Sequence, residues 1–565
     1  MKIKVILFFF LITSAAYAQN FILLFHGNKT IDERTLYGVL DLYKPYPYEF
    51  YKEKPKLNSK IVPIALQTLQ DFYKSQGFYH TKVTSLKKNN TIIINILENT
   101  PIKIQEIKIE SLLSLGKLLP FKINDIFNAQ KFIQSKKKIK LLYENHGYFN
   151  ADFTIKAWID IEKNSAKLLY KIKPNQICYF KNINIISSKN IDKDIVKSLL
   201  YINKGDIYSI NNLDKSYKSL YAYGGISQAI IDTNIYNKTD VNATVKIKET
   251  QKPIRFQIGI GASSDEGPMA SLGVKHRNFF GNLKTISLNA KATKIKQEIQ
   301  LNYSVPLAHK NTFGTNLGFE NENFFGFKEN RVLAKGYFRQ RDEVNFLQEA
   351  IIIDTSRSYD SNNINLFPEK TLVLVSPELE WMYNTRDKLL EPTKGYFVKT
   401  QLQGSLLSEI SNATYYKAIL TAGYILPLQT NILATKVQIG SLQTYEGDVP
   451  SSYRFFAGGM NSNRAYGYRR LGPTDSSNNP TGFNSIIETT VEYRFHIYGN
   501  FNGVAFNDNS FIGQTYIPRT TTGYYGVGFG LRYKTVIGPL AIDFGFDPAQ
   551  PFKQHALHFH VGELF

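Results

Sequence analysis

Strand-period alternation runs through the second half of this chain and leaves few folds open to it. In TISLNAKA, from Thr285, Ile286, Leu288, Ala290 and Ala292 alternate with Ser287, Asn289 and Lys291. In LNYSVPL, Leu301, Tyr303 and Val305 alternate with Asn302 and Ser304. Successive side chains of a strand point to opposite faces, so each segment has one apolar side and one polar side. A soluble sandwich and a membrane-spanning barrel both satisfy that pattern. Length and the two chain ends separate them. The 313 residues from Pro253 to Phe565 accommodate about 16 strands at roughly 10 residues each plus turns. The last stretch, HALHFHVGELF, puts Leu557, Phe559, Val561 and the terminal Phe565 on one face. The expected architecture over residues 252–565 is a transmembrane antiparallel β-barrel.

The other end carries an export signal. MKIKVILFFFLITSAAYAQN has two early lysines, an apolar run from Val5 to Ile12 and small residues at Ala16 and Ala18, the layout of a cleavable signal peptide over residues 1–18. No later segment approaches the ~20 consecutive apolar residues of a spanning helix. The single cysteine, Cys178, has no partner for an intramolecular disulfide, so ordinary cores or a closed sheet must hold the exported chain together. A net charge of +21 would suit nucleic acid in another setting. Export redirects that expectation to anionic lipid, lipopolysaccharide head groups or acidic clients, with no nucleic acid.

Composition changes near residue 250: Arg34 is the only arginine before Arg255, and the later half is dense in Gly, Phe and Tyr. The earlier half repeats itself. DFYKSQGFYH from Asp71, LLYENHGYFN from Leu141 and SLYAYGGISQ from Ser219 each place a tyrosine four residues before a glycine: Tyr73 and Gly77, Tyr143 and Gly147, Tyr221 and Gly225. Apolar residues at helical spacing precede each tyrosine, and the glycine fits the left-handed position past a helix end. Extended runs follow at TIIINIL, AKLLYKI and VNATVKI, each closed by a proline, Pro101, Pro174 and Pro253. Each unit therefore reads as strand, helix, helix, strand, strand, over 19–100, 101–173 and 174–251. Units of this length and pattern resemble polypeptide-transport-associated (POTRA) domains. The resemblance implies a small α+β sheet whose edge accepts extended client strands through main-chain hydrogen bonds.

Further motifs resemble one barrel superfamily. GIGASSDEG, KHRNFFGN (Lys275 to Asn282), YNTRDKLLEPTKGYF (Tyr383 to Phe397) and YGVGFGLRYKTVIGPLAIDFGF (Tyr525 to Phe546) are similar to successive strands and turns of the BamA/TamA superfamily. Three repeats and this chain length look more like the TamA branch. The terminal aromatic resembles the C-terminal signal of outer-membrane barrels. In that superfamily a long sixth extracellular loop folds back into the lumen behind an Arg-Gly-aromatic tip. Here the stretch YRFFAGGMNSNRAYGYRRLGP supplies the glycine pair Gly458 and Gly459, the tip Arg464, Ala465 and Tyr466, and the exit Leu471, Gly472 and Pro473. An arginine buried in a lumen requires a carboxylate. The family pattern places it at Asp508, after Phe506, with Glu492 and Asp543 as second choices. Ala465 and Ser510 stand where the family has glycine; a positive φ at either would cost on the order of 1 kcal/mol. Without its flanking motifs, Arg464 would read as a solvated loop charge.

The resemblance implies an outer-membrane protein of a Gram-negative bacterium, with its repeats in the periplasm, that assembles or translocates other proteins. Clients would be unfolded outer-membrane proteins, entering through a seam between RFQIGIGA and HFHVGELF, where Gly259, Gly261 and Gly562 weaken the ladder and Phe565 ends it. Outer-membrane lipid, and an inner-membrane or lipoprotein partner, are the other expected partners. A two-partner secretion pore and a passive channel are the alternatives. No Ser/His/Asp elbow or paired-carboxylate pattern emerges, so neither an enzyme nor a cofactor is expected. His558 and His560 share a strand face without a third ligand, so no metal is expected either.

Overall fold

The computed structural model describes residues 20–45, 53–389, 391–429, 431–535 and 539–561. The expected signal peptide over residues 1–18, Gly562 and Phe565 lie outside the described residues. The chain divides into two compact units. One holds residues through Phe180 with Gly205–Ile210 and Ile235–Val241; the other holds Lys181–Lys204, Asn211–Asn234 and Asn242–Phe565.

The first repeat contains β1 (Asn20–His26), α1 (Glu33–Val39), β2 (Lys56–Asn58), α2 (Val62–Ser75), β3 (Lys82–Lys88) and β4 (Thr91–Leu97), in sheet order β2-β1-β4-β3. Strand β2 departs from the expected element order: Asn20–Ile22 pairs antiparallel with Lys56–Asn58. The second repeat contains β5 (Lys103–Glu110), α3 (Ala129–Asn145), β6 (Asp152–Asp160) and β7 (Ser165–Lys173), in order β5-β7-β6. Its expected first helix is only the 3-10 turn Gly116–Leu118, because SLGKLLPFK offers too few residues before Pro120 for an α-helical turn to propagate. The third repeat follows the expected order: β8 (Tyr179–Ile186), α4 (Lys193–Ser198), α5 (Ile210–Tyr221), β9 (Ile226–Ile235) and β10 (Asp240–Glu249).

The tyrosine-to-glycine spacing has a structural cause in the first two repeats. Tyr73 and Tyr143 are fully buried on the core faces of α2 and α3. Gly77 and Gly147 follow the helix ends at φ 97° and 92°. Phe78 N donates to Tyr73 O at 2.9 Å and Tyr148 N to Tyr143 O at 3.0 Å, satisfying carbonyls that a helix end would leave orphaned. In the third repeat the left-handed residue is Gly224 at φ 69°, not Gly225. Gly225 is glycine for space: a Cβ there would lie 2.7 Å from Arg277 O. Gly77→Ala combines a positive φ with a Cβ 2.3 Å from Phe127 O, so we expect it to destabilise the helix end by about 1–3 kcal/mol. Native-state hydrogen exchange at the Phe78 amide would show this, and unchanged protection would refute it.

The second half forms one sheet of sixteen strands, β11 (Ile254–Ser263) through β26 (His555–Val561), in sequence order, each antiparallel to the next. Leu288, Leu301, Leu317, Ala334, Ile353 and Val375 lie in register across six strands as an outward apolar row. One residue along, Ser287, Asn302, Asn316 and Lys335 form an inward polar row. This is the alternation of the sequence turned into two surfaces, lipid-compatible outside and hydrated inside.

The KHRNFFGN turn also docks the third repeat. Asn282 Nδ2 donates to Asp192 Oδ2 at 2.6 Å, and Asn278 Nδ2 donates to Glu249 Oε1 at 2.5 Å. A later turn adds Ser219 Oγ to His309 O at 2.7 Å and Tyr223 Oη to Asn311 O at 2.6 Å.

Candidate functional site: the inserted loop and the barrel seam

The segment between β21 (Asn431–Gly447) and β22 (Ser485–Tyr498) folds as an irregular hairpin. Leu471 N donates to Ala457 O at 3.1 Å, Gly459 N to Tyr466 O at 3.0 Å, and Phe455 and Phe483 exchange backbone bonds at 2.8 and 3.0 Å. Gly458, Gly459 and Gly472 have φ of 96°, 106° and 110°. Gly458 is needed for space as well, since a Cβ would sit 2.5 Å from Gly467 O across the hairpin.

The hairpin carries Arg464 into the barrel, where it is 0% exposed. Its Nε and Nη2 make a two-pronged contact with Asp508 on β23 (Phe501–Gly513), at 2.8 and 3.0 Å. Nη1 reaches Glu492 at 2.8 Å and Asp543, on β25 (Leu540–Phe546), at 3.2 Å. Arg464 therefore engages the first-choice carboxylate and both second choices. Its guanidinium also lies 3.4 Å from the Phe506 ring centroid, a cation–π contact. Arg494 Nε donates to Glu492 at 2.7 Å, and Arg532, on β24 (Gly523–Tyr533), donates to Asp543 at 2.5 and 3.0 Å. Three guanidiniums and three carboxylates thus form a neutral cluster, and mutual pairing compensates their desolvation.

Glycines in the wall make room for this cluster. Added Cβ atoms would lie 2.3 Å from Asn463 Oδ1 at Gly526, 2.3 Å from Phe506 Cζ at Gly528, 1.9 Å from Asp543 Oδ1 at Gly530 and 2.3 Å from Arg464 O at Gly545. The alternation of Gly526, Gly528 and Gly530 along β24 was visible in the sequence, but the side chains that occupy the space were not.

Neither Ala465 nor Ser510 has a positive φ, so the two departures from the family pattern carry no left-handed strain. Ala465 is buried against the wall, 3.0 Å from the Cβ that a side chain at Gly526 would have. Ser510 Oγ donates to Glu488 Oε1 at 3.3 Å, and Glu488 also accepts from the Ser462 hydroxyl. Tyr466 donates to Asp547 at 2.9 Å. Burial and that neighbouring carboxylate raise its phenol above the usual range, which keeps it a neutral donor.

A second anchor escaped the sequence reading. Tyr453 Oη donates at 2.8 Å to Asp354 on β17 (Asn345–Tyr359), which also accepts from Arg331 Nε, on β16 (Lys328–Arg341), at 2.8 Å. Arg469 pairs with Glu322 at 2.7 Å. The loop is thus tied to walls on either side of the lumen. The available signal was Asp354 itself, an acidic residue closing the apolar run AIIID.

At the seam, β11 and β26 end the strand order. Ser264 N, in the turn after β11, donates to Phe559 O of β26 at 3.2 Å. Ile258 and Ile260 of β11 are 81% and 89% exposed, against 50% for Leu288 inside the sheet, so little covers the outer face of this edge. Gly259 and Gly261 do not interrupt the ladder on the other side of β11, where pairing with β12 (Gly267–His276) is continuous. His558 Nε2 lies 3.1 Å from Arg464 O and His560 Nε2 lies 3.6 Å from Asp543 Oδ2.

A sixteen-stranded membrane-type barrel with an ion-paired loop threaded inside and α+β repeats ahead of it defines a repeat-bearing transmembrane barrel protein. The chain belongs to the Omp85 superfamily, whose domain profile matches residues 278–565. The POTRA profile, surface antigen variable number repeat, matches residues 102–175 and 178–250. Among similar proteins, the outer membrane protein assembly factor BamA of Neisseria meningitidis serogroup B is 21% identical over 496 residues, covering 80% of this chain and 61% of its own length. BamA of Nitratidesulfovibrio vulgaris is 23% identical over 481 residues, covering 81% and 60%. The chain spans about 60% of the length of these relatives. The crystal structure of BamA from Haemophilus ducreyi lacking POTRA domains 1-3 has the same fold, with a TM-score of 0.63 at 17% identity, covering 82% of this chain and 99% of that one.

Proposed function

We propose that the protein is an outer-membrane assembly factor, whose periplasmic repeats capture unfolded outer-membrane proteins as extended strands and whose seam passes them into the bilayer. The observation that carries this reading is that β11 and β26 end the strand order of the sheet, with Ile258 and Ile260 of β11 81% and 89% exposed. Unpaired strand backbone costs several kcal/mol per group in lipid, and an incoming client strand would relieve that cost by completing the ladder. The similarity to proteins named outer membrane protein assembly factor supports the reading. So does the occupied lumen, which argues against a passive channel: Tyr453 and Arg464 fasten the loop inside it. The outward apolar rows would face lipid and lipopolysaccharide. An inner-membrane or lipoprotein partner would add to the repeats, and no catalytic chemistry is part of the proposal.

Extending antiparallel register from the Ser264–Phe559 bond places Ala262 opposite Val561. Cysteines at those two positions, in a Cys178→Ser background, should lock the seam. Folded levels of other outer-membrane barrels are then expected to fall at least about tenfold, for a lost opening worth about 1.4 kcal/mol or more, and to recover on reduction. Normal assembly by locked, folded protein would mean that clients do not use the seam.

A further inference from the structure

His558 lies where the inserted loop, the last strand and the first hairpin meet, and no motif in the sequence assigns it a role. Its Nε2 faces the backbone carbonyl of Arg464 at 3.1 Å. Its Nδ1 faces Asp265 Oδ1 at 3.3 Å and Ser264 Oγ at 3.2 Å, both in the turn between β11 and β12. The ring is 2% exposed. Asp265 is engaged a second time: its Oδ2 accepts from Met460 N of the loop at 2.9 Å. Gly459 is glycine at this contact, since a Cβ would lie 2.6 Å from Asp265 Oδ2. Gln554 Nε2, just before β26, donates to Ala465 O at 2.8 Å. The contacts close a ring that runs from the loop to β26, from β26 to the first turn, and from the first turn back to the loop.

The chemistry of the imidazole makes it the joint of that ring. A carbonyl oxygen only accepts, so Nε2 must be the donor toward Arg464 O. Nδ1 then has a partner in either protonation state, accepting from the Ser264 hydroxyl when the ring is neutral and donating to Asp265 when it is charged. In both states one side chain from the last strand binds the loop and the first hairpin together. The Arg464 guanidinium is fixed to β22, β23 and β25, so the carbonyl that receives His558 is held by the same cluster.

We propose that His558 is the positioning residue that transmits the state of the Arg464 cluster to the seam: while the loop is locked, His558 latches the loop end of β26 to the β11–β12 turn, and release of the loop frees both edges. The inference rests on the seam reading above. It extends that reading by naming the group that sets how readily the seam opens.

The test measures opening directly, apart from assembly. In the Ala262→Cys, Val561→Cys, Cys178→Ser protein, the initial rate of disulfide formation across the seam is compared with His558 intact, His558→Leu and His558→Gln. Only the folded fraction, identified by its heat-modifiable migration on gels, is scored. His558→Leu removes both polar contacts and is expected to slow cross-linking at least about fivefold. His558→Gln keeps one donor and should recover most of the rate. Asp265→Asn should slow the rate in the same direction. Combining Asp508→Asn with His558→Leu should add little to either alone, as expected for groups acting in one chain. Unchanged cross-linking in folded His558→Leu overturns the proposal. If His558→Leu does not fold, unchanged rates in both Asp265→Asn and His558→Gln with Asp508→Asn overturn it equally. Barrel assembly measured in the same cells separates the two ideas: an altered rate with normal assembly supports the latch and removes the seam as the client route.

Discussion

Arg464→Ala is expected to free the inserted loop and to destabilise the barrel by about 3–5 kcal/mol, the range for removing one partner of a buried ion pair. The carboxylates do not share the loss equally. Glu492 retains Arg494 and Asp543 retains Arg532. Asp508 loses its guanidinium partner and keeps, from the contact, only the backbone amide of residue 464, now 3.1 Å away. Its charge is 1% exposed, so most of the penalty should fall on it. Arg464→Ala combined with Asp508→Asn should therefore be less destabilised than Arg464→Ala alone. Arg464→Lys should be intermediate, because an ammonium is a point charge and cannot reproduce a planar fork against Asp508 with a third contact to Glu492. Trypsin provides the measurement, since Arg454, Arg469 and Arg470 flank the tip. Rapid cleavage there in the variant and resistance in the parent is the expected result. Equal resistance would show that the ion cluster does not hold the loop.

Gly545→Ala is expected to expel the loop tip with every ionisable group left in place. A Cβ at this position would lie 2.3 Å from Arg464 O, 2.5 Å from Arg464 C and 2.9 Å from Ala465 N. Those are backbone atoms, which cannot rotate away as a flexible side chain would, so either β25 or the tip must move. Overpacking of this kind costs about 1–3 kcal/mol, comparable to the contacts it displaces. Gly545 does not have a positive φ, so strand strain does not contribute and the effect reports on the approach of the loop alone. The loop should become trypsin-sensitive, and Gly545→Ala should add little to Arg464→Ala in protease sensitivity. Full protection in Gly545→Ala would mean that the wall relaxes and that close approach is unnecessary.

Much of this was legible from order along the chain. The sixteen strands followed from alternation and length, because a strand's two faces are written directly in period two. The helix ends at Gly77 and Gly147 followed from a tyrosine at fixed spacing, because both the buried side chain and the left-handed residue are local requirements. Gly225 broke that inference. The residue that needs a positive φ there is Gly224, while Gly225 answers to a steric contact with Arg277, which lies fifty-two residues away in the chain and has no local signature. The extra strand β2 was similarly hidden, since three residues are too few to show a period.

The site divides along the same line. Family motifs brought Arg464 and Asp508 forward as a pair, and the three glycines of the loop carry the positive φ their positions demand. The convergence of Glu492, Asp508 and Asp543 on one guanidinium could not be read in advance, because it depends on three separate strands bringing inward residues to the same height. The same holds for Tyr453 with Asp354, for the space that Gly526, Gly528, Gly530 and Gly545 leave open, and for His558 between the loop and the first hairpin. By itself, then, the sequence determined the repeats and the barrel, since each is a periodic or short-range property of the backbone, while the inserted loop followed from the resemblance of its motifs to the superfamily. Only the tertiary structure decided which charges meet and which edges the loop holds together, because strand register and barrel closure bring distant residues within a few ångströms and the chain order carries no record of that distance.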